Sequence, residues 1–432
     1  MARRFLSMAS ATAVVVLSFL LGSVFTMYQP GSKTARKVAE VYERIRAHYP
    51  GEIPHEKLER AAIAGLLSTT DKWSEYFTAA EWQQWSQQVM LGKFPGVGIR
   101  VEPDDKSGYL MVTSPIEDTP AFHAGLLPGD LIVKVDGVDV KGQPGNEVIS
   151  RIRGEVGTKL VLTLRRGVLE PFDVTLTRAE IKIVAVKHRL VEPGIGYIRI
   201  NDFTEEVPVD FEKAYRDLEG RGMNALVIDL RFNGGGLLKA AVELCDLWLP
   251  PNAVVVTSEG KRPEHRTIYK AKTPEALGTK TPVAILVNRD SASASEIVAG
   301  ALRDHHIASL VGTRTFGKGL VQSQYELSDG SYVKLTTARW VTPNGEQVGA
   351  KDPESEGGLV PTYFVEMTPD EELAVRKRWF AEGIVKGPPI AEPPPKDFVL
   401  EAGLEVLRAK REGRPPKVER REIQKPEPKE PK

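Results

Sequence analysis

The chain has 432 residues, of which 41% are apolar, and this length is enough for two or three domains with a sizeable core. Its 58 basic side chains balance its 58 acidic ones, so no excess of positive charge predicts binding to nucleic acid. The single cysteine, Cys245, excludes an intramolecular disulfide framework and a cysteine-rich zinc site, and its apolar neighbours predict a buried thiol. No motif indicates a metal or another cofactor.

The N-terminus carries the pattern of an export signal. Arg3 and Arg4 precede residues 5–28, which contain no charged side chain. That length suits a membrane-spanning helix, and flanking arginines remain on the cytoplasmic side. A cleaved signal peptide is the alternative, but residues 21–24 lack a clear cleavage site, so we favour an uncleaved anchor within residues 1–28. Both interpretations predict an exported protein, on the periplasmic or extracytoplasmic side of the inner membrane.

Residues 29–93 are predicted to form a helical region. Apolar residues recur at helical spacing in segments 38–45 and 58–66, and aromatic residues are concentrated in segment 73–85. The sequence leaves open whether this region packs as a helical subdomain or forms the arm of a homodimer.

Residues 94–178 are predicted to form a small β-rich domain. Glycines and prolines separate short runs of strand-forming residues at 110–113, 131–135 and 160–164. Segments 120–125 and 147–153 each predict a short helix, the first one ended by glycine.

Residues 179–366 have the pattern of an α/β domain. Segments 225–230 and 282–287 are continuous apolar runs, which is typical of parallel strands covered on both faces. A helix over 296–302 and a strand over 309–311 follow, so that strand, helix and strand alternate with right-handed crossovers.

The C-terminal part alternates in character. Residues 367–411 predict two helices, over 370–384 and around 400–407, on either side of a proline-rich linker at 388–395. Residues 412–432 contain mainly Lys, Arg, Glu and Pro, a composition that predicts disorder.

The first chemically suggestive loop follows the apolar strand at 225–230. Residues 229–236 end in three consecutive glycines, Gly234 to Gly236, which allow backbone N–H groups to approach a ligand closely. Such groups can form part of an oxyanion hole or cradle a phosphate, and a simple tight turn is the third possibility.

The second loop joins the strand at 282–287 to the next helix. Ser293 lies at this strand-to-helix turn, where a nucleophile is exposed and the helix N-terminus favours negative charge. The N–H of Ala294 would complete an oxyanion hole. Serine is also a common helix N-cap, and we expect Ser295, next to Glu296, to be one.

The third loop contains Lys318 between Gly317 and Gly319. An amine among glycines and apolar residues loses hydration, which disfavours its charged form and makes it a usable general base. An exposed loop lysine is the plainer interpretation.

Together, these loops resemble those of the C-terminal processing peptidases, a family of PDZ-containing serine proteases. The resemblance extends from about residue 35 to residue 365. Three segments carry it, in the order and spacing of the family, at residues 287–304, 315–322 and 335–345. The resemblance implies an α/β multidomain fold, in which an α/β protease core carries an inserted PDZ-like domain after an N-terminal helical region.

The family pattern assigns roles to individual residues. It implies Ser293 as nucleophile, Lys318 as base, and Gln322 as third catalytic member. It further implies an oxyanion hole formed by Ala294, Gly235 and Gly236.

The β-rich domain resembles a PDZ module in residues 119–130 and 94–99. The resemblance implies that the tail-binding loop comprises Gly96, Val97, Gly98 and Ile99. Backbone N–H groups of such a loop capture a terminal carboxylate while the peptide adds a strand to the domain edge. Two positions depart from the family pattern: residues 349–358 are longer and acidic, and Ile307 replaces a common arginine.

The sequence therefore predicts an endopeptidase that cleaves exported proteins recognised by apolar C-terminal tails. A catalytically silent tail-binding scaffold at the membrane is the alternative, and an acyl-CoA enzyme is disfavoured by the PDZ-like domain. We predict protein substrates and contact with the inner membrane through residues 5–28; a homodimer and an activating partner protein are left open.

Overall fold

A computed structural model describes residues 33–104, 106–116, 118–182, 184–273, 281–350, 356–382 and 396–423. The chain divides into two compact units, Met1–Tyr76 and Phe77–Lys432. Within the described ranges, no helix is long and apolar enough to cross a membrane, and the predicted anchor over residues 5–28 lies outside them.

The first unit contains the two helices that the apolar spacing predicts, α1 (Lys33–His48) and α2 (His55–Leu67). Neither helix has a fully buried side chain. Apolar side chains of both helices line a groove of about 450 Å³. These apolar faces are therefore exposed. Packing as a helical subdomain and the arm of a homodimer both stay open as interpretations of this region.

The second unit begins with an aromatic cluster around helix α3 (Ala79–Leu91). Thr78 and Glu81 form a capping box that starts the helix, and Gly92 ends it in a left-handed conformation. The rings of Trp82 and Trp85 stack on each other, with centroids 4.9 Å apart.

The predicted β-rich domain follows as an antiparallel sheet with two short helices, α4 (Pro120–His123) and α5 (Gly145–Ile152). The strands of the chain up to the end of this domain are β1 (Glu75–Phe77), β2 (Lys93–Gly96), β3 (Ile99–Asp104), β4 (Tyr109–Pro115), β5 (Leu131–Val135), β6 (Val138–Asp139), β7 (Lys159–Arg165), β8 (Phe172–Thr177) and β9 (Ala179–Lys182). The sheet order is β3-β4-β5-β7-β8, with β6 beside β5, so β3 is an edge strand. Strands β2 and β9 pair where the chain enters and leaves the domain.

The α/β core is built on a six-stranded sheet of order β10-β11-β12-β15-β16-β19. The strands of the core are β10 (Val186–Glu192), β11 (Ile195–Ile200), β12 (Ala225–Asp229), β13 (Val254–Gly260), β14 (Arg266–Lys270), β15 (Val283–Val287), β16 (Ala308–Gly312), β17 (Leu320–Glu326), β18 (Tyr332–Val341) and β19 (Tyr363–Phe364). Strands β11 to β19 of this sheet run parallel, whereas β10 is antiparallel to β11. Strands β13, β14, β17 and β18 form an antiparallel sheet.

Helices cover both faces of the six-stranded sheet. They are α6 (Val207–Gly220), α7 (Leu238–Cys245), α8 (Ala294–Asp304), α9 (Pro369–Glu382) and α10 (Phe398–Glu412). Alternate side chains of β12 join two different cores, with Leu226 and Ile228 facing α6 to α8 and Val227 facing α9 and α10. This explains the continuous apolar runs in the sequence, and the predicted fold class is confirmed.

Cys245 is completely buried at the end of α7, as its apolar neighbours predict. Burial, with a smaller contribution from the charge of Asp246, raises the pKa of its thiol far above the ordinary range. The thiol is therefore a small core hydrophobe.

The charged segment after α10 differs from the prediction of disorder that its composition gave. The guanidinium of Arg421 pairs with Glu371 at 2.7 Å, and its carbonyl accepts a hydrogen bond from the N–H of Glu366 at 2.9 Å. This segment therefore lies against the core through the ion pair of Arg421, backbone hydrogen bonds and the packing of Val418 on the sheet core. Residues 424–432 are outside the described ranges.

Candidate active site

Three loops meet at one edge of the six-stranded sheet. Strands β12, β15 and β16 are parallel neighbours, so the segments that follow them emerge at the same edge. We name these segments the glycine-rich loop (residues 230–237), the serine loop (residues 288–293) and the lysine loop (residues 313–319). All three candidate motifs of the sequence thus converge in space.

Ser293 occupies the N-cap position of α8 with φ 56° and ψ −112°. Positive φ is unusual for a residue with a Cβ atom and marks a sharp, strained turn between strand and helix. The prediction that Ser295 caps this helix is wrong: its hydroxyl donates to the carbonyl of Asn233 at 3.0 Å. Ser293, and not Ser295, is therefore the N-cap residue of α8.

Gly235 packs directly against the serine. A Cβ atom at this position, where φ is 101°, would lie 2.8 Å from the Cβ of Ser293 and 2.9 Å from the nitrogen of Ala294. A Cβ atom at Gly236 would lie 2.3 Å from the carbonyl oxygen of Phe203. Only glycine fits at these two positions.

Two backbone N–H groups that are predicted to form the oxyanion hole differ in their hydrogen bonding. The N–H of Ala294 is the first of helix α8, where no intrahelical acceptor exists. The N–H of Gly235 donates to Oδ1 of Asn233 at 2.8 Å. Gly235 therefore allows the loop to approach Ser293 closely. Its N–H would have to leave Asn233 to bind an oxyanion.

Asn233 links the glycine-rich loop to the serine loop, a role that the sequence analysis missed. Its main-chain carbonyl accepts hydrogen bonds from the N–H of Ala292 and from the hydroxyl of Ser295, both at 3.0 Å. Its amide Nδ2 donates to the carbonyl of Ile200 at 2.8 Å. The side chain is fully buried, so these bonds fix the loop relative to the serine.

Glu296 joins the serine loop to the lysine loop. Its Oε2 accepts hydrogen bonds from the N–H groups of Ser293 at 2.8 Å and Lys318 at 2.9 Å. Its Oε1 accepts from the N–H of Gly317 at 2.7 Å and the hydroxyl of Thr315 at 2.6 Å. The backbone nitrogens of Ser293 and Lys318 therefore lie within two hydrogen-bond lengths of each other.

The carboxylate of Glu296 is fully buried in an apolar helix. Burial raises its pKa, and the four hydrogen bonds offset part of this shift. The spacing of Ser293 and Glu296 is a capping-box pattern that the sequence does show, and it accounts for the bond to the N–H of Ser293 but not for the bonds to the lysine loop.

Lys318 is half-buried, and its carbonyl accepts a hydrogen bond from Nε1 of Trp340 at 3.1 Å. The glycines on either side of it press against the segment that departs from the family pattern. A Cβ atom at Gly317 would lie 2.8 Å from Gly357, and one at Gly319 would lie 2.3 Å from the nitrogen of Gly349. The ends of segment 349–358 therefore pack on the backbone of the lysine loop.

Gln322 lies in β17, opposite Thr336 of β18. The pairing of the two strands shifts register between Val321 and Gln322. Such an irregularity bends a strand and redirects its side chains. Gln322 is half-buried, and two apolar residues, Leu320 and Val321, separate it from the end of the lysine loop.

A buried ion network lies behind the glycine-rich loop. The guanidinium of Arg231 contacts Asp229 at 2.6 Å and Asp397, the N-cap residue of α10, at 2.8 Å. The hydroxyl of Tyr197 donates to Asp229 at 2.8 Å. Burial opposes ionisation of Asp397, but the charge and hydrogen bonds of Arg231 outweigh it and lower the pKa of the carboxyl. The pKa of Arg231 is raised in turn by both carboxylates, against the effect of burial.

The four predicted tail-binding residues line one cavity of about 470 Å³, which we name the tail cavity. Gly98 has φ 81°, and a Cβ atom there would lie 2.3 Å from the side chain of Thr119. The carbonyl of Val97 accepts a hydrogen bond from the N–H of Ala121 at 2.9 Å. Edge strand β3 and Ile149 and Ile152 of α5 form opposite walls, an arrangement that suits an added peptide strand.

No group of three or more metal-ligating side chains occurs in the described part of the chain. The three loops bring together backbone donors, a serine, a lysine and a buried glutamate, which are groups of the types that acyl transfer uses.

Comparisons with known proteins show which family the chain resembles. A model of peptidase family S41 matches residues 194–363, and a PDZ domain model matches residues 111–166. The chain is 39% identical over 321 residues to a carboxy-terminal-processing protease of Bartonella bacilliformis, and this match covers 73% of each of the two chains. It is 34% identical over 342 residues to a probable CtpA-like serine protease of Staphylococcus saprophyticus, covering 79% of this chain and 67% of the relative.

Solved structures show the same fold. The photosystem II D1 C-terminal processing protease aligns with a TM-score of 0.55 at 28% identity, over 76% of this chain and 86% of that chain. A putative S41 protease from Bacteroides fragilis aligns with a TM-score of 0.53 at 19% identity, over 84% of this chain and 93% of that chain. With its PDZ domain, its S41 core and its curated relatives, the chain belongs to the C-terminal processing peptidases of family S41.

Proposed function

We propose that this protein is a serine endopeptidase in which Ser293 is the nucleophile, Lys318 the general base and Gln322 the residue that orients the lysine. The observation that carries the proposal is the shared acceptor Glu296, whose Oε2 binds the backbone of both Ser293 and Lys318. Two residues held on one buried oxygen atom keep a constant spacing, which a proton transfer between their side chains requires.

The proposed reaction proceeds in two stages. Neutral Lys318 accepts the proton of the Ser293 hydroxyl as the oxygen attacks the scissile carbonyl, and the N–H of Ala294 donates to the resulting oxyanion. Lysine then gives the proton to the leaving amine, so that the C–N bond breaks and an acyl-enzyme remains. Water, deprotonated by the same lysine, cleaves the ester and restores the serine.

We propose that substrates are proteins with apolar C-terminal tails. The tail cavity supports this, because edge strand β3 offers main-chain groups and the walls at Ile149 and Ile152 are apolar. A free carboxylate would bind at the loop formed by residues 96–99.

We also propose that the catalytic unit lies outside the cytoplasm, anchored by residues 5–28. The uncharged run and the two preceding arginines support this orientation. An alkaline phosphatase fused after residue 33 is expected to be active in intact cells. An inactive fusion that is synthesised at a normal level would contradict export.

Replacement of the nucleophile tests the catalytic proposal. Ser293→Ala is expected to abolish both cleavage of an unstructured protein with an apolar tail and labelling by a fluorophosphonate probe. Binding of the tail, measured by fluorescence anisotropy, is expected to be unchanged. Ser68→Ala, at an exposed serine directly after α2, is the control, and it is expected to retain labelling.

The same experiment separates the alternative function. A tail-binding scaffold without chemistry would bind the tail and show neither cleavage nor probe labelling in the unaltered protein. Cleavage that persists in Ser293→Ala would remove this serine from the mechanism.

A further inference from the structure

The tail cavity has two chemically different walls. On the side of the PDZ-like domain, strand β3 and the apolar side chains of Ile149 and Ile152 line it. On the side of the α/β core, the lining residues are charged or aromatic, and we name six of them the core wall: Arg199, Arg231, Phe232, Asp290, Arg376 and Trp379. Three of the six are arginines, so a ligand in the cavity meets cations on this wall.

Several charges around the cavity are balanced within the protein. The guanidinium of Arg231 pairs with Asp229 and Asp397 behind the core wall. Two further carboxylates line the cavity: that of Asp202 pairs with an arginine of β3, and Glu102 is exposed on the same strand. The other two arginines of the core wall therefore determine its charge.

Arg199 gives this face of the sheet a positive potential. Its guanidinium carbon lies 4.5 Å from the ring centroid of Trp379, and a ring face attracts a cation without neutralising it. Lys187 of β10 is directly opposite Arg199 of β11, so both side chains lie on one face of the sheet. Burial and, to a smaller extent, the charge of Arg199 lower the pKa of the Lys187 amine to about 8.

Arg376 has hydrogen-bonding capacity left for a ligand. Its side chain is only 17% exposed, and its Nε is buried without an acceptor among the described residues. Its Nη2 lies 3.7 Å from the carboxylate of Asp290, which is longer than a hydrogen bond. The guanidinium rests on the ring of Phe232, with its central carbon 3.9 Å from the ring centroid. A carboxylate from a ligand would supply the acceptor that this buried cation lacks.

A peptide strand added to β3 would present side chains to both walls. Successive side chains of a strand point in opposite directions, so one set would face Ile149 and Ile152 and the alternate set would face the core wall. The apolar wall favours apolar residues of the tail. The core wall favours a carboxylate at the positions between them, because a guanidinium binds a carboxylate through two parallel hydrogen bonds.

We propose that the core wall is an acid-selecting subsite, in which Arg376, supported by the charge of Arg199, binds an Asp or Glu side chain of the substrate tail. The preferred substrates are then proteins whose tails place an acidic residue between apolar ones. This inference rests on the proposed function, because it narrows the class of substrates, but binding of the tail tests it without any cleavage.

The test measures peptide binding to the full-length protein that carries Ser293→Ala, so that no peptide is consumed. Fluorescein-labelled peptides end in apolar residues with a free carboxylate, and either Glu or Gln is placed at successive positions before the last residue. Fluorescence anisotropy gives the ratio of Kd for the Gln peptide to Kd for the Glu peptide at each position. The terminal carboxylate is present in both members of a pair, so its contribution cancels in the ratio.

We expect the Glu peptide to bind about tenfold more tightly than the Gln peptide at alternate positions, as one charge-assisted hydrogen bond allows. The ratio is expected to fall when salt is added, because the subsite is partly open to solvent. A ratio near one at every position overturns the subsite. An equal preference for Glu at every position also overturns it, since that result shows only a general attraction between charges.

Substitutions in the protein test the assignment to Arg376. Arg376→Met is expected to bring the ratio close to one, and Arg376→Lys is expected to restore part of it because it keeps the positive charge. Arg151→Met is the matched control: it removes one positive charge from an exposed position on α5 that does not line the cavity, and it is expected to keep the ratio. An unchanged ratio in Arg376→Met overturns the assignment.

Asp290→Asn provides an independent test if Arg376→Met does not fold. It removes the carboxylate that lies near Arg376, so the ratio is expected to rise above that of the protein with Asp290. A ratio that falls or stays the same contradicts the subsite.

Cleavage of the same peptides by the protein with Ser293 separates this inference from the proposed function. The Glu peptides are expected to have a lower KM than the Gln peptides with a similar kcat, because the subsite lies away from the reacting atoms. Cleavage without any preference overturns the subsite and leaves the peptidase activity standing. A preference in binding without cleavage of any peptide overturns the peptidase activity and leaves the subsite standing.

Discussion

At the scale of single residues, the arrangement around Ser293 depends on backbone geometry and on one carboxylate. The positive φ of Ser293 has a cost of about 1–3 kcal/mol for such a residue, and it persists only because its surroundings hold it. The bond from its N–H to Glu296 and the contact with Gly235 supply that constraint.

Replacement of Glu296 by Gln should reduce kcat/KM about 100-fold, equivalent to about 2.7 kcal/mol of transition-state stabilisation. Four donors converge on this carboxylate, and an amide offers only one oxygen to them. Steady-state kinetics with the tail-bearing substrate measures the effect. Glu212→Gln, at an exposed ion pair on α6, should leave kcat/KM unchanged, and an unaffected Glu296→Gln would contradict the assignment.

The same carboxylate predicts a pH dependence. Because burial raises the pKa of Glu296 above its ordinary value of 4.5, the fold binds this proton more tightly than the unfolded chain does. The contribution of the group to stability is therefore present at acidic pH and is lost as pH rises through the raised pKa. Activity requires the ionised acceptor, so kcat/KM and this contribution should change in opposite directions over that range.

At the scale of elements, helix α10 is attached to the site by charge as well as by apolar packing. Arg231 directly precedes Phe232 in the glycine-rich loop and binds both Asp229 and Asp397. The guanidinium of Arg231 pairs with both carboxylates, and Arg378 adds a second positive charge that acts on Asp397. Its response to substitution therefore depends on which charge is removed.

Arg231→Met should lower the free energy of unfolding by about 3–5 kcal/mol, because it leaves two buried carboxylates without the guanidinium that they are hydrogen-bonded to. Asp397→Asn should lower it by only about 1.5 kcal/mol, since Arg231 keeps Asp229. Urea unfolding at neutral pH measures both. A larger effect of Asp397→Asn than of Arg231→Met would contradict this account of the network.

Acid should remove the difference between Asp397→Asn and the unaltered protein. The pKa of Asp397 is lowered in the fold, so its contribution to stability is present above its ordinary value of 3.8. It is lost as pH falls through the lowered pKa. Arg216→Met, at an exposed pair on α6, is the control and should change stability by less than about 1 kcal/mol at any pH.

At the scale of the whole molecule, the second unit contains separate hydrophobic cores. One fills the PDZ-like domain, and two others lie on the faces of the six-stranded sheet. The ion pair of Arg100 with Asp202, the hydrogen bond from Arg153 to Gln88 and the packing of α9 against β4 connect the PDZ-like domain to the rest of the unit. Domains that do not share one hydrophobic core are coupled weakly.

Calorimetry should therefore resolve two unfolding transitions, and core substitutions should move them separately. Leu162→Ala, in the PDZ-like core, should destabilise one transition by about 2–5 kcal/mol, and Leu286→Ala, in the sheet core, should destabilise the other. Both leucines are completely buried, so they form a matched pair. A common shift of a single transition in both variants would show one cooperative unit instead.

The order of the domains and the type of most elements follow from local sequence patterns. The apolar runs around Val227 and Ile285 predicted strands buried on two faces, and they are β12 and β15. The motifs around Ser293 and Lys318 were visible because each lies within a few consecutive residues. Local patterns of this kind reflect periodicity and turn chemistry, which neighbouring residues decide.

Which residues join those motifs depends on contacts between distant parts of the chain. Nothing local marks Glu296 as the shared acceptor of two loops, or Asp397 as the partner of Arg231, 166 positions earlier in the chain. The segment after α10 also lies against the core through Arg421, although its composition favours disorder. These contacts exist because folding brings distant charges into one buried place, where a missing partner costs far more than it does in water.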